Sequence, residues 1–323
     1  MVGREPVLEQ AKILLGRIQK GRSEKSLLLT GLRGVGKTVL LNEINQIAEG
    51  LGYNTIFVEA HEEKGLGGLL APQFRKLLFA LDRKRGLNAS VKRGLAVLRA
   101  FIGAIKVSVG DYSFGLDIEP EKGTADSGDM ELDLPDLFTV IGEAAKNCGT
   151  SVALLIDELQ YFDEKELGAL IMAIHKLQQK QLPFVLLGAG SPILPRLAGD
   201  SKSYAERLFN FPQIGALNPL DAAKALQQPA ELTNVAFSTE ALDEVYRLTE
   251  GYPYSFRSGD INAGTLQPQI PSTSKWYESR PQSYCLVSIR IFSAFDSIAS
   301  SQVRKRCSGS WRNSVQGHTE WKI

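Results

Sequence analysis

One junction constrains this chain more than any other feature. Ser-Leu-Leu-Leu-Thr at 26–30 runs without a break into Gly-Leu-Arg-Gly-Val-Gly-Lys-Thr at 31–38, and VLLNEINQIAEGLG continues at helical spacing to Gly50 or Gly52. A strand apolar on both faces has to be covered on both sides of its sheet. A strand that feeds directly into a helix therefore points to a parallel α/β layer structure.

The rest of the first 254 residues repeats that alternation. Leu8, Ala11, Leu14, Leu15 and Ile18 lie on one face of a helix over 5–19; TIFVE (55–59), SVALLIDE (151–158) and PFVLLGAG (183–190) read as strands. PQIGALNP (212–219) reads as a fifth. Helices are predicted at about 67–84, 91–105, 135–147 and 164–180, with shorter ones in DAAKALQQPA and STEALDEVYRLTEG. KVSV and YSFGLDI alternate with period two and suggest a hairpin turning at Gly110-Asp111. EPEKGTADSGDMELD, acidic and poor in apolar residues, reads as a mobile surface loop.

The glycine-rich loop matches G-x-x-x-x-G-K-[ST] between a strand and a helix, the context in which that spacing carries chemistry. Backbone N–H groups of Gly31, Leu32, Arg33, Gly34, Val35 and Gly36 would point at phosphate oxygens, helped by the positive end of the following helix. Lys37 would reach the β- and γ-phosphates, and the Thr38 hydroxyl would hold Mg²⁺. A glycine-rich turn with an accidental Lys-Thr would not need both flanks correct.

VALLIDE supplies a second half. A buried strand ending in Asp157 puts a carboxylate at the C-terminal edge of the sheet, where open α/β folds bind ligands. Asp157 would hold Mg²⁺ through water, and Glu158 would polarise an attacking water. Two further residues are softer candidates. Ser191 follows the strand FVLLGAG and either senses the γ-phosphate or caps PILPRL. Arg207 in SYAERLF either reaches the γ-phosphate of a neighbouring subunit or is a solvated arginine paired with a nearby acid. His61, His175 and His318 stand alone and read as structural or surface residues, and Arg304-Lys305-Arg306 as a solvated charge run.

Together, VGRE, GLRGVGKT, LLIDE, LLGAG, SYAERLF-NFPQIGAL and EGYP resemble bacterial AAA+-type P-loop ATPases of the origin-recognition and STAND neighbourhood, over residues 2–254. The resemblance implies a core with one strand inserted between the loop strand and the Asp-Glu strand, with a helical lid behind it. It also implies that Val2, Gly3 and Arg4 border an adenine, and that Pro253, in Gly251-Tyr252-Pro253, contacts the nucleotide from the lid. ATP and Mg²⁺ are the implied cofactors. The implied partners are further copies of the chain, and DNA or a protein through a winged-helix domain missing here.

After Tyr254 the chain changes character. Leucine occurs 41 times in 1–254 and twice in 255–323; all three tryptophans (Trp276, Trp311, Trp321) lie in the tail. Basic against acidic residues number nine to four in the tail and 28 to 32 before it. A one-base offset applied to a permitted back-translation of Ser255–Gly264 yields Leu-Gln-Glu-Trp. The same offset over Ile291–Ser297 permits Phe-Phe-Arg-Val-Arg-Phe. The tail therefore reads as a shifted frame or as a serine-rich extension, poorly ordered in either case. The domain reading is a core at 1–217 with an insertion at 106–133, a partial lid at 218–254 and the tail at 255–323. A lid cut after two helices would remove wall from a nucleotide pocket and weaken turnover.

Overall composition excludes other classes. A formal charge of +1 argues against a nucleic-acid or membrane partner through net charge, and Cys148, Cys285 and Cys307 lack the spacing of a disulfide scaffold or zinc site. No apolar run approaches the ~20 residues of a membrane span and the N-terminus lacks a signal-peptide core, which predicts a cytoplasmic protein. No LSGGQ-like signature of a transporter ATPase and no N-K-x-D guanine-reading motif is present. The functional expectation is Mg²⁺-dependent ATP hydrolysis, with a nucleotide switch or DNA-associated binding module of negligible turnover as the rival.

Overall fold

A computed structural model describes residues 1–85, 89–105, 118–232 and 237–257. The hairpin expected within 106–117 and the tail from 258 lie outside the described residues. The chain divides into two compact units, with the boundary after Gly215.

The first unit is built from α1 (Glu5–Gln19), β1 (Ser26–Thr30), α2 (Lys37–Gly50), β2 (Asn54–Glu59), α3 (Leu66–Arg85), α4 (Ala89–Ala104), α5 (Met130–Asn147), β3 (Val152–Asp157), α6 (Glu164–Gln179), β4 (Phe184–Gly190), α7 (Leu194–Ser201), α8 (Ala205–Leu208) and β5 (Phe209–Asn210). All strand pairs are parallel, in the order β2-β3-β4-β1-β5. β4 therefore lies between the loop strand β1 and the Asp-Glu strand β3, the insertion that the resemblance implied. β1, β3 and β4 are buried along their whole length, while the edge strand β2 is only partly covered.

The core gathers around α5 and α6. Phe138 meets Phe74 edge-on at 5.2 Å and Phe184 at 5.1 Å, contacts that add about 0.5–1.5 kcal/mol each beyond burial. α6 starts with a reciprocal cap: Asp163 accepts from Glu166 N–H while Glu166 accepts from Asp163 N–H. Glu166 also accepts from Leu66 N–H at 2.7 Å and so fastens the start of α3.

Three sequence expectations are corrected. α5 starts at Met130 rather than 135, because Asp129 caps it and Pro135 sits inside its early turns, not at its start. The acidic loop before it is tied down. The Asp133 carboxylate, 2% exposed, accepts from Ser127 N–H, Ser127 Oγ–H and Gly128 N–H. Arg93 pairs with Glu121, and Ala125 is buried. The fifth strand is Phe209–Asn210, ahead of the PQIGALNP run. Pro212 has no N–H for a ladder, so only its carbonyl is used, by Thr30 N–H, and one bridge joins Thr30 to Gln213.

The second unit carries α9 (Pro219–Glu231), α10 (Thr239–Thr249) and α11 (Pro253–Arg257), packed around Leu217, Ala222, Leu226, Val245 and Phe256. Leu217 N–H donates to Gly251 O at 2.8 Å. A Cβ on Gly251 would lie 2.1 Å from Leu217 O, so only glycine fits there. Pro253 is the first residue of α11.

Candidate functional site

The glycine-rich loop is pinned at its entry and open at its exit. Gly31 N–H donates to Gly190 O, and a Cβ on Gly31 would lie 2.3 Å from Ile214 O. Gly34 (φ 84°) and Gly36 (φ 91°) take the left-handed conformation that turns successive N–H groups the same way. α2 then starts with no side-chain cap and no acidic residue in its first turn. Its free N–H groups and positive dipole end are left for an anion. Val35 is buried, whereas Leu32 and Arg33 are exposed.

Arg4 stabilises the loop from below. Only 8% exposed, its guanidinium donates to Val35 O at 3.2 Å and to Gly215 O at 2.5 Å. It holds backbone, a contact the adenine assignment did not anticipate. Gly3 precedes it with φ 71°, and Val2 is half-buried.

Lys37 is buried, and its Nζ donates to Leu32 O at 3.0 Å across the loop. Thr38 Oγ donates to Asp157 Oδ2 at 2.6 Å, joining the two sequence motifs. Asp157 is 2% exposed, and its Oδ1 accepts from Glu158 N–H. Glu158 itself is left-handed (φ 55°, ψ 41°), a conformation that costs a non-glycine residue on the order of 1 kcal/mol and gathers at functional sites. The strand turns there into a short 3-10 helix, Leu159–Tyr161.

Gln160 was missed by sequence reasoning. Its Nε2 donates to Glu158 Oε2 at 2.5 Å, and its Oε1 accepts from Ser191 N–H at 2.9 Å. An amide two residues after an Asp-Glu strand end was the only signal. Ser191 does not cap α7, whose N-cap is Ile193. The Ser191 hydroxyl is buried without a hydrogen-bond partner among the described residues. Arg207 lies in α8, exposed and without an ion-pair partner among the described residues.

The oxygens fit a magnesium ion. A hydroxyl and a carboxylate are hard donors, and Mg²⁺ takes one or two protein oxygens beside phosphate and water. Among the described residues no group of three or more His, Cys, Asp or Glu could hold a metal alone. The opposite rim holds a groove of about 640 Å³ at Lys20, Leu51, Lys146 and Gln181. It sits at helix C-terminal ends, after Gln19, Gly50, Asn147 and Gln179, so carbonyls rather than N–H groups face it.

Comparison with known proteins places the chain. The family profile described as AAA ATPase domain matches residues 1–187, which takes in the loop, Asp157, Glu158 and Gln160. No curated protein sequence matches. Among solved structures, a Walker-type ATPase of Pyrococcus abyssi is similar at 14% identity and TM-score 0.48, covering 94% of this chain and 74% of that one. AMPPCP-bound DnaA from Aquifex aeolicus is similar at 16% identity and TM-score 0.45, covering 95% and 80%. Aeropyrum pernix ORC1, solved in complex with DNA, is similar at 13% identity and TM-score 0.41, covering 95% and 69%. No helix among the described residues is long and apolar enough to cross a membrane.

Proposed function

We propose that this chain, which belongs to the AAA ATPase domain family, binds ATP with Mg²⁺ and hydrolyses it to ADP and phosphate. The observation that carries the reading is the 2.6 Å hydrogen bond from Thr38 to Asp157, with Glu158 next in the chain. It brings a phosphate loop and an acidic strand end to one point on the sheet's C-terminal rim.

Each side chain then has a task. The loop N–H groups and Lys37 bind the phosphates, and Lys37 exchanges Leu32 O for a stronger, charged acceptor. Thr38 and Asp157 hold Mg²⁺, which when bound offsets charge on the β- and γ-phosphate oxygens. Glu158 orients the attacking water and accepts its proton. The partnerless Ser191 hydroxyl suits a γ-phosphate oxygen. Arg207, exposed and without an ion-pair partner among the described residues, suits the nucleotide of a second copy. Val2, Gly3 and Arg4 are assigned to the adenine and Pro253 to the lid side of the nucleotide, as the resemblance implies, with Arg4 also supporting the loop.

Glu158→Gln tests the reading. Steady-state phosphate release should fall about 100- to 10,000-fold, while ATP affinity stays within about threefold. Equal rates in both proteins would take the base role from Glu158, and no turnover by the unmodified chain would leave a binding module instead.

A further inference from the structure

We propose that Gln160 is a positioning residue for hydrolysis: its amide holds the Glu158 carboxylate and fixes it to the end of β4. This rests on the ATPase reading above.

The orientation of the amide follows from chemistry. Ser191 N–H can only donate, so the atom 2.9 Å from it is the amide oxygen. That leaves Nε2 for the Glu158 carboxylate, which when ionised can only accept, at 2.5 Å. A flipped amide would set donor against donor and acceptor against acceptor. Gln160 is therefore a one-way bridge between two strand ends.

The surroundings are shaped for this bridge. A Cβ on Gly190 would lie 2.9 Å from Gln160 Oε1, so a larger residue at the end of β4 would crowd the amide. Glu158 stands on left-handed backbone just after the strand, where its own main chain gives the side chain no support. The single bond from Gln160 occupies Oε2, and Oε1 has no protein partner among the described residues. A carboxylate held by one oxygen and free at the other is placed to receive a proton from water. Released, it would sample several rotamers, and misplacement on the order of 1 Å costs about 100-fold in rate.

The bridge also joins Glu158 to the residue whose partnerless hydroxyl is assigned to the γ-phosphate. The group that orients water and the group that meets phosphate are thus two hydrogen bonds apart.

Two substitutions of similar length separate this role from a structural one. Gln160→Met removes both arms. Gln160→Glu keeps an acceptor for Ser191 N–H but removes the donor and sets a carboxylate against Glu158. With the purified full chain, ATP and Mg²⁺, both should lower kcat about 10- to 100-fold. KM and the affinity for a fluorescent ATP analogue should stay within about threefold. In a Glu158→Gln background, Gln160→Met should cause no further loss in single-turnover rate. Gln160→Asn, too short to span both partners, replaces Gln160→Met if that variant does not fold.

Wild-type kcat in Gln160→Glu with loss only in Gln160→Met would overturn the proposal, because only the tie to Ser191 would then matter. A variant faster than the unmodified chain, or an additive loss on top of Glu158→Gln, would overturn it too. An active unmodified chain with unaffected Gln160 variants sinks this proposal alone. An unmodified chain without turnover removes the ATPase reading, and this proposal with it.

Discussion

Thr38 and Asp157 lie 119 positions apart in the chain and 2.6 Å apart in the fold, with the threonine hydroxyl donating to Oδ2. Because the proton points at the aspartate, the lone pairs of the hydroxyl are free for a cation. Asp157→Asn keeps an amide oxygen for Glu158 N–H and turns its NH2 toward Thr38, whose hydroxyl can reverse to accept, but it removes the charge. We expect Mg²⁺-dependent ATP affinity to fall more than about tenfold. Stability without Mg²⁺ should change by less than about 1 kcal/mol, since a buried carboxylate is itself costly. Titrating Mg²⁺ against a fluorescent ATP analogue, with urea unfolding in parallel, reads both.

Gly31 and Gly36 are needed for opposite reasons. At Gly31 a methyl group would lie 2.3 Å from the carbonyl of Ile214, whose own N–H is committed to Thr30 O. Gly31→Ala should therefore cost about 3 kcal/mol in urea unfolding. Gly36 faces open space but has φ 91°, so Gly36→Ala should cost only about 1–2 kcal/mol, with a clear loss of nucleotide affinity.

Arg4 holds two carbonyls in a buried setting. Arg4→Ala should lower stability by about 2–3 kcal/mol; both bonds leave one guanidinium nitrogen, so the ammonium of Arg4→Lys, with three donors on a shorter stem, should recover part of that loss. A chain that kept its stability and lost only nucleotide affinity would confine Arg4 to the adenine.

Tyr53 gives a pH signature unrelated to catalysis. Burial pushes its phenol well above the ordinary value near 10, and its hydroxyl donates to Leu15 O at 2.6 Å. The neutral form is thus favoured in the folded state. Its contribution is fully present below pH about 10, where the unfolded phenol is still protonated, and is lost as pH rises further. From this group alone stability should fall by about 1.4 kcal/mol per pH unit above that point. Tyr53→Phe should flatten the slope in urea unfolding followed between pH 9 and 11.

The sheet and the pairing of Thr38 with Asp157 were legible because they rest on local period and spacing. SLLLT, VALLID and FVLLGAG are apolar on both faces, and only central parallel strands have that pattern. The start of α5 was not legible. Pro135 looks like a first helical residue, and nothing local shows that Asp133 will be buried beneath the Ser127-Gly128 turn. β5 was misplaced because the bare edge of β1, not the apolar content of PQIGALNP, decides where pairing occurs. Gln160 escaped for a similar reason: its meaning comes from Ser191, 31 residues onward, across a strand boundary.

The strand order has a consequence for how the protein is made. β1 is the first strand to leave the ribosome, yet its neighbours are β4 and β5, whose first residues are Phe184 and Phe209. Leu27, Leu28 and Leu29 therefore wait with both edges bare through more than 150 residues of synthesis, seconds to tens of seconds at ordinary rates. For that interval the segment that later holds the phosphate loop is an unpaired apolar strand, the kind that sticks to its own copies. Its solubility during birth depends on chaperones and on translation speed, and a gene fragment ending before Phe184 would give aggregates rather than a weaker nucleotide binder.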